Sequence, residues 1–373
     1  MKVCLNEKYN KDTAHVNLNT GPKQRLPPSV MKRILLIRTD RIGDTVLTLP
    51  AATALKAAFP EVQISFLARN YTEPLVRLYQ DVDEVLVYEP EGRHRGWSGH
   101  RVLAQELREG GFDAALLFLP RPELALALRW AGIPVRIGSG FRWYSFLLTH
   151  TIKEHRKTCK KHEADYNHSL LRPLLGEALP PVKFAFRPFQ VSSATEPTYA
   201  ILHPGSGQSA PNLSVEQYRV LIAELLVQTP WDIRLTGTAE EIKLSQQLAA
   251  GFPENRVQNL AGQHDLGSLF ECIAGTQLLI TSSTGPLHLA NAINTPTLSF
   301  FCPARPHTPK RWGPYHQQEW VVAPDLAGFD WCQQSRCPYG GCLSELSAEA
   351  IRQALERRLN GLLNPEAAIQ ESA

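Results

Sequence analysis

The sequence predicts an α/β protein built from two doubly wound parallel-sheet domains that face a central cleft. Short apolar strands alternate with amphipathic helices, the signature of parallel βαβ units. That series occurs twice, on either side of an irregular Pro-rich stretch, "LPPVKFAFRPF". The chain has 373 residues, enough for two domains of ordinary size, each with its own core.

Taken in order, "RILLIR" is a short buried strand and "TVLTLPAATALKAAF" reads as one helix, with Pro50 near its start or at a kink. "QISFLAR" is strand, "TEPLVRLY" helix and "EVLVY" strand. "HRVLAQELREGG" is a helix closed by glycine, and "FDAALLFL" the next strand. Residues 120–190 are less regular, and a linker is expected near residues 180–195. The second series opens with "YAILHPGSG", a strand running into a glycine turn, then the helix "SVEQYRVLIAELLVQT". "WDIRLTGTAEE" is strand and turn, "IKLSQQLAAGF" helix, "VQNLAG" strand and "DLGSLFECIAGT" helix. "QLLITSS" is strand, "GPLHLANAINT" helix and "PTLSFF" strand. "SAEAIRQALERRLNGLL" is a last amphipathic helix with Ser347 as N-cap. The expected domains are residues 31–188 and 189–360, between an extension of residues 1–30 and a tail of residues 361–373, both expected to be disordered.

Composition narrows the function. A net charge of +3 gives no footprint for nucleic acid. The one basic run, "KEHRKTCKKHE", is either a solvated loop or a contact for an anionic acceptor or an acidic membrane surface. No apolar window is long enough for a transmembrane helix, and the first 30 residues lack the apolar core of a signal peptide. Seven cysteines, an odd number at irregular spacing, point to a reducing cytoplasm. Cys332, Cys337 and Cys342 are spaced too widely for a usual zinc site, so no metal and no cofactor is expected.

Three strand-to-helix turns carry the chemistry. "TSSTGPLH" places hydroxyls and free amides at a helix N-terminus, where the dipole favours an anion. There Ser283 and Thr284 offer hydroxyls, Gly285 permits close approach, Pro286 suits the first turn and His288 faces the same anion or packs in the core. "HPGSGQSAPN" is a second phosphate-friendly turn, with Ser206 and Gly207, and it lacks a Walker lysine. Together the two turns would hold a diphosphate. Glu240 and Glu241, after "LTGT", either bond ribose hydroxyls or begin a helix. The third turn, "RTDRIGDTV", lies in the first domain. Its Asp44 is either an N-cap or a general base facing the donor across the cleft, with Asp40 as competitor.

The stretch "ILLIRTDRIGDTVLTLPAATALKAAFP" resembles the N-terminal signature of the ADP-heptose:lipopolysaccharide heptosyltransferases, glycosyltransferase family 9. "HPGSG", "LTGTAEE", "NLAG", "SSTGPLHLANA" and "RWGPY" follow in the order that family shows, so the resemblance spans roughly residues 31–360. It implies the GT-B fold of two Rossmann-like domains and metal-independent, inverting transfer of heptose from ADP-heptose. The partners implied are a nucleotide-sugar donor and a glycan or lipid-linked glycan acceptor, met in the cytoplasm or at the inner face of the cytoplasmic membrane. Asp44 matches the family's proposed base, Thr284, Gly285 and His288 its diphosphate turn, Ser206 its first donor loop, and Glu241 its acidic residue near the ribose. Two positions depart from the pattern. Pro211 stands where many members carry a lysine or arginine, and Ser283 where an aspartate often precedes Thr-Gly-Pro. Arg41, Lys310 and Arg311 are the substitute cations for the leaving diphosphate. A non-catalytic nucleotide-sugar-binding module is the alternative reading. An oxidoreductase is disfavoured because no G-x-G-x-x-G follows the first strand.

Overall fold

The computed structural model describes residues 31–188, 198–207, 210–325, 331 and 341–364. The N-terminal extension, most of the tail, and Cys332 and Cys337 lie outside the described residues.

The first lobe runs β1 (Arg33–Ile37), α1 (Ile42–Val46), α2 (Pro50–Ala58), β2 (Gln63–Arg69), α3 (Glu73–Arg77), β3 (Glu84–Tyr88), α4 (Gly96–Glu109), β4 (Ala114–Leu117), α5 (Pro122–Ala131), β5 (Val135–Ser139) and β6 (His150–Ile152), then α6 (Glu163–His168) and α7 (Arg172–Leu175). The second runs β7 (Tyr199–His203), α8 (Val215–Gln228), β8 (Asp232–Leu235), α9 (Ile242–Ala249), β9 (Val257–Asn259), α10 (Leu266–Gly275), β10 (Leu278–Ser282), α11 (Gly285–Ala292), β11 (Thr297–Phe300), α12 (Pro309–Trp312), β12 (Val321–Val322) and α13 (Ala348–Leu363).

Each lobe holds a six-stranded sheet, ordered β3-β2-β1-β4-β5-β6 and β12-β11-β10-β7-β8-β9. Every strand pair is parallel. Counted along the chain the two orders are identical, although the sequence shows no matching repeat. Each sheet reverses direction at its centre, between β1 and β4 and between β7 and β10. Loops leaving the carboxyl ends of these strands diverge, and the crevice between them is where such sheets bind ligands. β1 and β10 are buried on both faces, which explains their continuous apolar runs.

Three expectations need correction. The single helix over residues 45–59 is two, α1 and α2, because Pro50 cannot supply an amide to a helix running through it. Residues 120–190 hold α5, β5 and β6. Pro122 starts α5, and Gly132 ends it at φ 80°, a left-handed conformation suited to glycine. β5 and β6 are short and lie toward the sheet's edge, partly exposed, so they lack an apolar run. Helix α13 continues through Leu363, into the segment expected to be disordered, with Ser347 capping it as expected.

The lobes share apolar clusters. Val46 and Leu75 of the first pack with Ile201, Phe270, Leu279 and Leu289 of the second. The lobes are therefore closed on each other, and the ends of β1 and β10 are brought face to face.

Candidate active site

Arg38 closes β1 and carries most of the order in the first turn. Its guanidinium grips Asp40 with two hydrogen bonds, 2.6 and 2.8 Å, and also donates to Asp44 Oδ1. It is buried, 4% exposed, and lies 3.9 Å from Glu163. Glu163, itself 1% exposed, also pairs with Arg156 and accepts from Arg311 at 2.9 Å. Asn167 accepts from both Arg38 and Arg156 and donates to Leu47 O and Thr48 Oγ1. Three arginines and three carboxylates thus form one network, and Arg311 comes to it from the opposite lobe.

Asp44 does not cap α1. Arg41 occupies the N-cap position, and Asp44 falls in the first turn, where the amide dipoles favour a carboxylate. Burial pushes its pKa up. Arg38 pulls it down, Asp40 and Glu163 push it up again, and Arg311 pulls it down, leaving it at about 6. A carboxylate poised there is ionised at neutral pH and basic enough to take a proton. Asp40, by contrast, has both oxygens engaged by Arg38.

Across the cleft, α11 begins at Gly285 after the strand β10. Thr284 Oγ1 bonds Thr281 Oγ1 at 3.0 Å, and Thr281 Oγ1 in turn donates to His203 O at 2.9 Å. These hydroxyls brace the two glycine turns against each other. The N-termini of α1 and α11 meet at a pair of glycines. A Cβ on Gly43 would lie 2.5 Å from His288 Cδ2, and one on Gly285 would lie 2.9 Å from Ile42 Cβ. Between the turns is a cavity of about 220 Å³, lined by Arg41, Asp44, Ser283, Thr284, His288 and Arg311 among others. A larger one, about 780 Å³, opens on the other side of Asp44, walled mainly by the first lobe with Arg311 and Trp312 of the second. Asp44, Arg41 and Arg311 border both.

The glycine contact yields a direct expectation. Gly43→Ala forces His288 or the lobe interface to move, since overpacking costs about 1–3 kcal/mol. ADP affinity measured by calorimetry should fall while each lobe keeps its fold by circular dichroism. Unchanged affinity would mean that the contact does not shape the cavity.

The remaining expected residues are placed less simply. His288 is buried, 4% exposed, and burial, helped by the nearby His162, drives its pKa down to about 3. It is neutral at physiological pH and brings no charge, and its buried Nδ1 has no hydrogen-bond partner. Pro286 packs into the buried first turn of α11. Ser206 Oγ donates to Ala210 O and accepts from Asn212, so it orders its own loop. Glu241 accepts from Thr238 N at 2.8 Å as the partner of a capping box and lies against Gly205, where any Cβ would collide with its carboxylate. Ser206, Gly207, Glu240 and Glu241 do not line the cavity beside Asp44. Of the three substitute cations, Arg41 and Arg311 line that cavity, while Lys310 is exposed and does not. Arg311 is balanced by Glu163, whereas the Arg41 side chain has no hydrogen-bond partner among the described residues.

Sequence reasoning missed Arg38, Arg156, Glu163 and the role of "RWGPY". That motif is the clasp between lobes. Arg311 reaches Glu163, His162 Nε2 donates to Gly313 O at 2.8 Å, and Tyr315 donates to Asp165 at 2.9 Å. The clue available was a polar, aromatic motif in which only Arg311 had a catalytic assignment. Among the described residues no cluster of His, Cys, Asp or Glu is arranged to hold a metal, and no helix is long and apolar enough to cross a membrane. Cys302 and Cys342 are buried thiols, not a disulfide.

A family model described as glycosyltransferase family 9 (heptosyltransferase) matches residues 100–340. A Haemophilus influenzae protein named "Putative glycosyltransferase" is 29% identical over 338 residues, covering 86% of this chain and 93% of that one. The lipopolysaccharide heptosyltransferase 2 of Escherichia coli is 23% identical over 294 residues, 74% of this chain and 84% of its own. Among solved structures, the E. coli ADP-heptose heptosyltransferase II superposes with a TM-score of 0.72 at 20% identity, covering 90% of this chain and 99% of that one. An E. coli heptosyltransferase with ADP gives 0.70 at 21% identity, covering 87% and 99%. These superpositions identify the two-lobed architecture as the GT-B fold.

Proposed function

The chain belongs to glycosyltransferase family 9, and from that premise we propose that it moves a heptose, or a related sugar, from ADP-heptose or a similar nucleotide sugar to a hydroxyl of a cell-envelope glycan such as the lipopolysaccharide core. The observation that carries this reading is the position of Asp44, a half-buried carboxylate with a pKa raised to about 6 that borders both cavities. One cavity suits a donor diphosphate and the other an acceptor.

The reaction is a single displacement with inversion. The diphosphate lies against Ser283, Thr284 and the amides at the start of α11, with Arg41 supplying the positive charge that Pro211 does not. The acceptor lies in the larger cavity, whose wall carries six arginines and lysines against four carboxylates, a positive excess that suits an anionic glycan. As the acceptor oxygen bonds to the anomeric carbon, its proton passes to Asp44. The bond from that carbon to the diphosphate oxygen breaks, and the nucleoside diphosphate leaves with the electron pair. Amides and Arg41 directed at the leaving oxygens stabilise the charge that develops there. The closed lobes exclude water and so limit hydrolysis of the donor.

Thermal shift against a panel of nucleotide sugars, followed by transfer to a lipopolysaccharide-core acceptor, tests the reading. A donor that binds the native state stabilises it by RT ln(1 + L/Kd), where L is the free donor concentration, so at equal concentration the tighter donor raises the melting temperature more. ADP-heptose should give the largest shift and release ADP in the presence of acceptor. If a uridine or guanosine donor is preferred, or no nucleotide is released with any donor, the assignment fails.

A further inference from the structure

The edge of the first sheet carries an exposed surface that is both aromatic and basic. Between residues 139 and 162 the chain has six lysines and arginines against one acid, Glu154. That acid is already paired with Lys161 and Arg172, at 2.7 and 2.9 Å. The same segment presents Trp143 and Phe146, 79% and 74% exposed, with Phe141 at 44%. The aromatic and basic parts form one face, since the Phe141 ring lies 4.2 Å from that of His155 and Lys153 Cγ lies beside Gly140. Isolated exposed apolar residues are ordinary, but three rings within six residues, flanked by cations, mark an interaction surface.

We propose that this edge docks on an anionic lipid bilayer. The rings enter the headgroup layer, where aromatic side chains partition favourably. Arg142, Lys153, Lys157 and Lys160 stay above them against the lipid phosphates, drawn by the negative surface potential. Charge complementarity selects this occupant. The rings project from the sheet edge, and the unpaired charge of the segment around them is positive, which suits a laterally continuous anionic surface better than a shaped protein groove. Phe141, Arg142 and Lys157 also border the larger cavity, so docking sets its mouth against the bilayer, where a lipid-linked acceptor would enter. That consequence rests on the transferase reading, whereas the docking does not.

Sedimentation of the intact protein with phosphatidylcholine vesicles, with and without phosphatidylglycerol, tests the proposal. The protein should bind the anionic vesicles, release them as salt rises, and ignore the neutral ones. The pair Trp143→Ser and Phe146→Ser should weaken binding about tenfold or more by removing two buried rings. The pair Lys153→Glu and Lys160→Glu should weaken it by a similar or larger factor, since each cation at an anionic leaflet contributes about fivefold. These side chains are exposed, so melting temperature and ADP binding should stay at wild-type values. Wild-type protein that fails to bind anionic vesicles, or variants that bind equally well, would overturn the proposal. So would a wild-type self-association in sedimentation velocity that the aromatic variant loses, because the rings would then serve a second copy. Absence of sugar transfer with vesicle binding intact would count against the transferase reading alone.

Discussion

Asp44→Ala is expected to lower transfer by about 10²–10⁴-fold, the usual contribution of a positioned general base, while ADP binds with unchanged affinity. Arg38 keeps its two bonds to Asp40 in that variant, so the turn retains its anchor. Asp40→Asn, by comparison, should cost less, because both of its carboxylate oxygens are held by the Arg38 guanidinium and, unlike Asp44, it does not border the smaller cavity. The pH profile follows from the sign of the shift. The base works only when ionised, and burial raises its pKa to about 6. The kcat/KM of the wild type should therefore be level above about pH 6 and fall about tenfold per unit below it. Calorimetry with ADP and a steady-state profile from pH 5 to 8 check both parts. Near-normal turnover by Asp44→Ala would remove this residue from the chemistry.

Glu163→Ala should produce the largest loss of stability. The side chain is buried and holds Arg38, Arg156 and Arg311 together. Removing it leaves Arg156 and Arg311 without their buried carboxylate partner, close to Arg38, and breaking a buried pair of this kind costs about 3–5 kcal/mol. At 2–4 °C per kcal/mol for domains of this size, the midpoint should drop by about 10 °C. Burial alone would raise the Glu163 pKa, but Arg156, Arg311 and Arg38 outweigh it and hold the carboxyl below its ordinary value of 4.5. A depressed folded-state pKa means that the ion pairs stabilise the fold above that value and that this stability is lost as pH falls through the folded value. Wild-type protein should thus lose stability below about pH 4.5 more steeply than Glu163→Gln. Denaturant melts at pH 7 and pH 4 measure both effects. A cost under about 1 kcal/mol at pH 7 would show that Arg311 and Glu163 do not hold the lobes together.

Much of the site was legible because its parts are local. The hydroxyl-glycine turn after β10 and the aspartate turn after β1 are each read from a few neighbouring residues, since the end of a strand and the start of a helix fix where their amides point. The same locality made Ser206 and Glu241 misleading. A hydroxyl or carboxylate in a glycine loop serves equally well to order that loop, and here Ser206 bonds Ala210 and Asn212 while Glu241 caps its own helix. His288 illustrates a different gap. Its place on α11 was evident, but its charge depends on burial by the facing lobe, and that burial leaves it neutral.

The sequence by itself determined the alternation of strands and helices, the two-lobed class and the turns that face the cleft, because periodicity and cap residues act over a handful of positions. Tertiary structure alone decided which charges matter. Arg38, Glu163 and Arg311 lie far apart along the chain: the fold of the first lobe brings Arg38 to Glu163, and only the docking of the lobes adds Arg311. Burial there weakens screening by water; burial is also the main cause that raises the Asp44 pKa, with Arg38 the main opposing charge and Arg311 a smaller one.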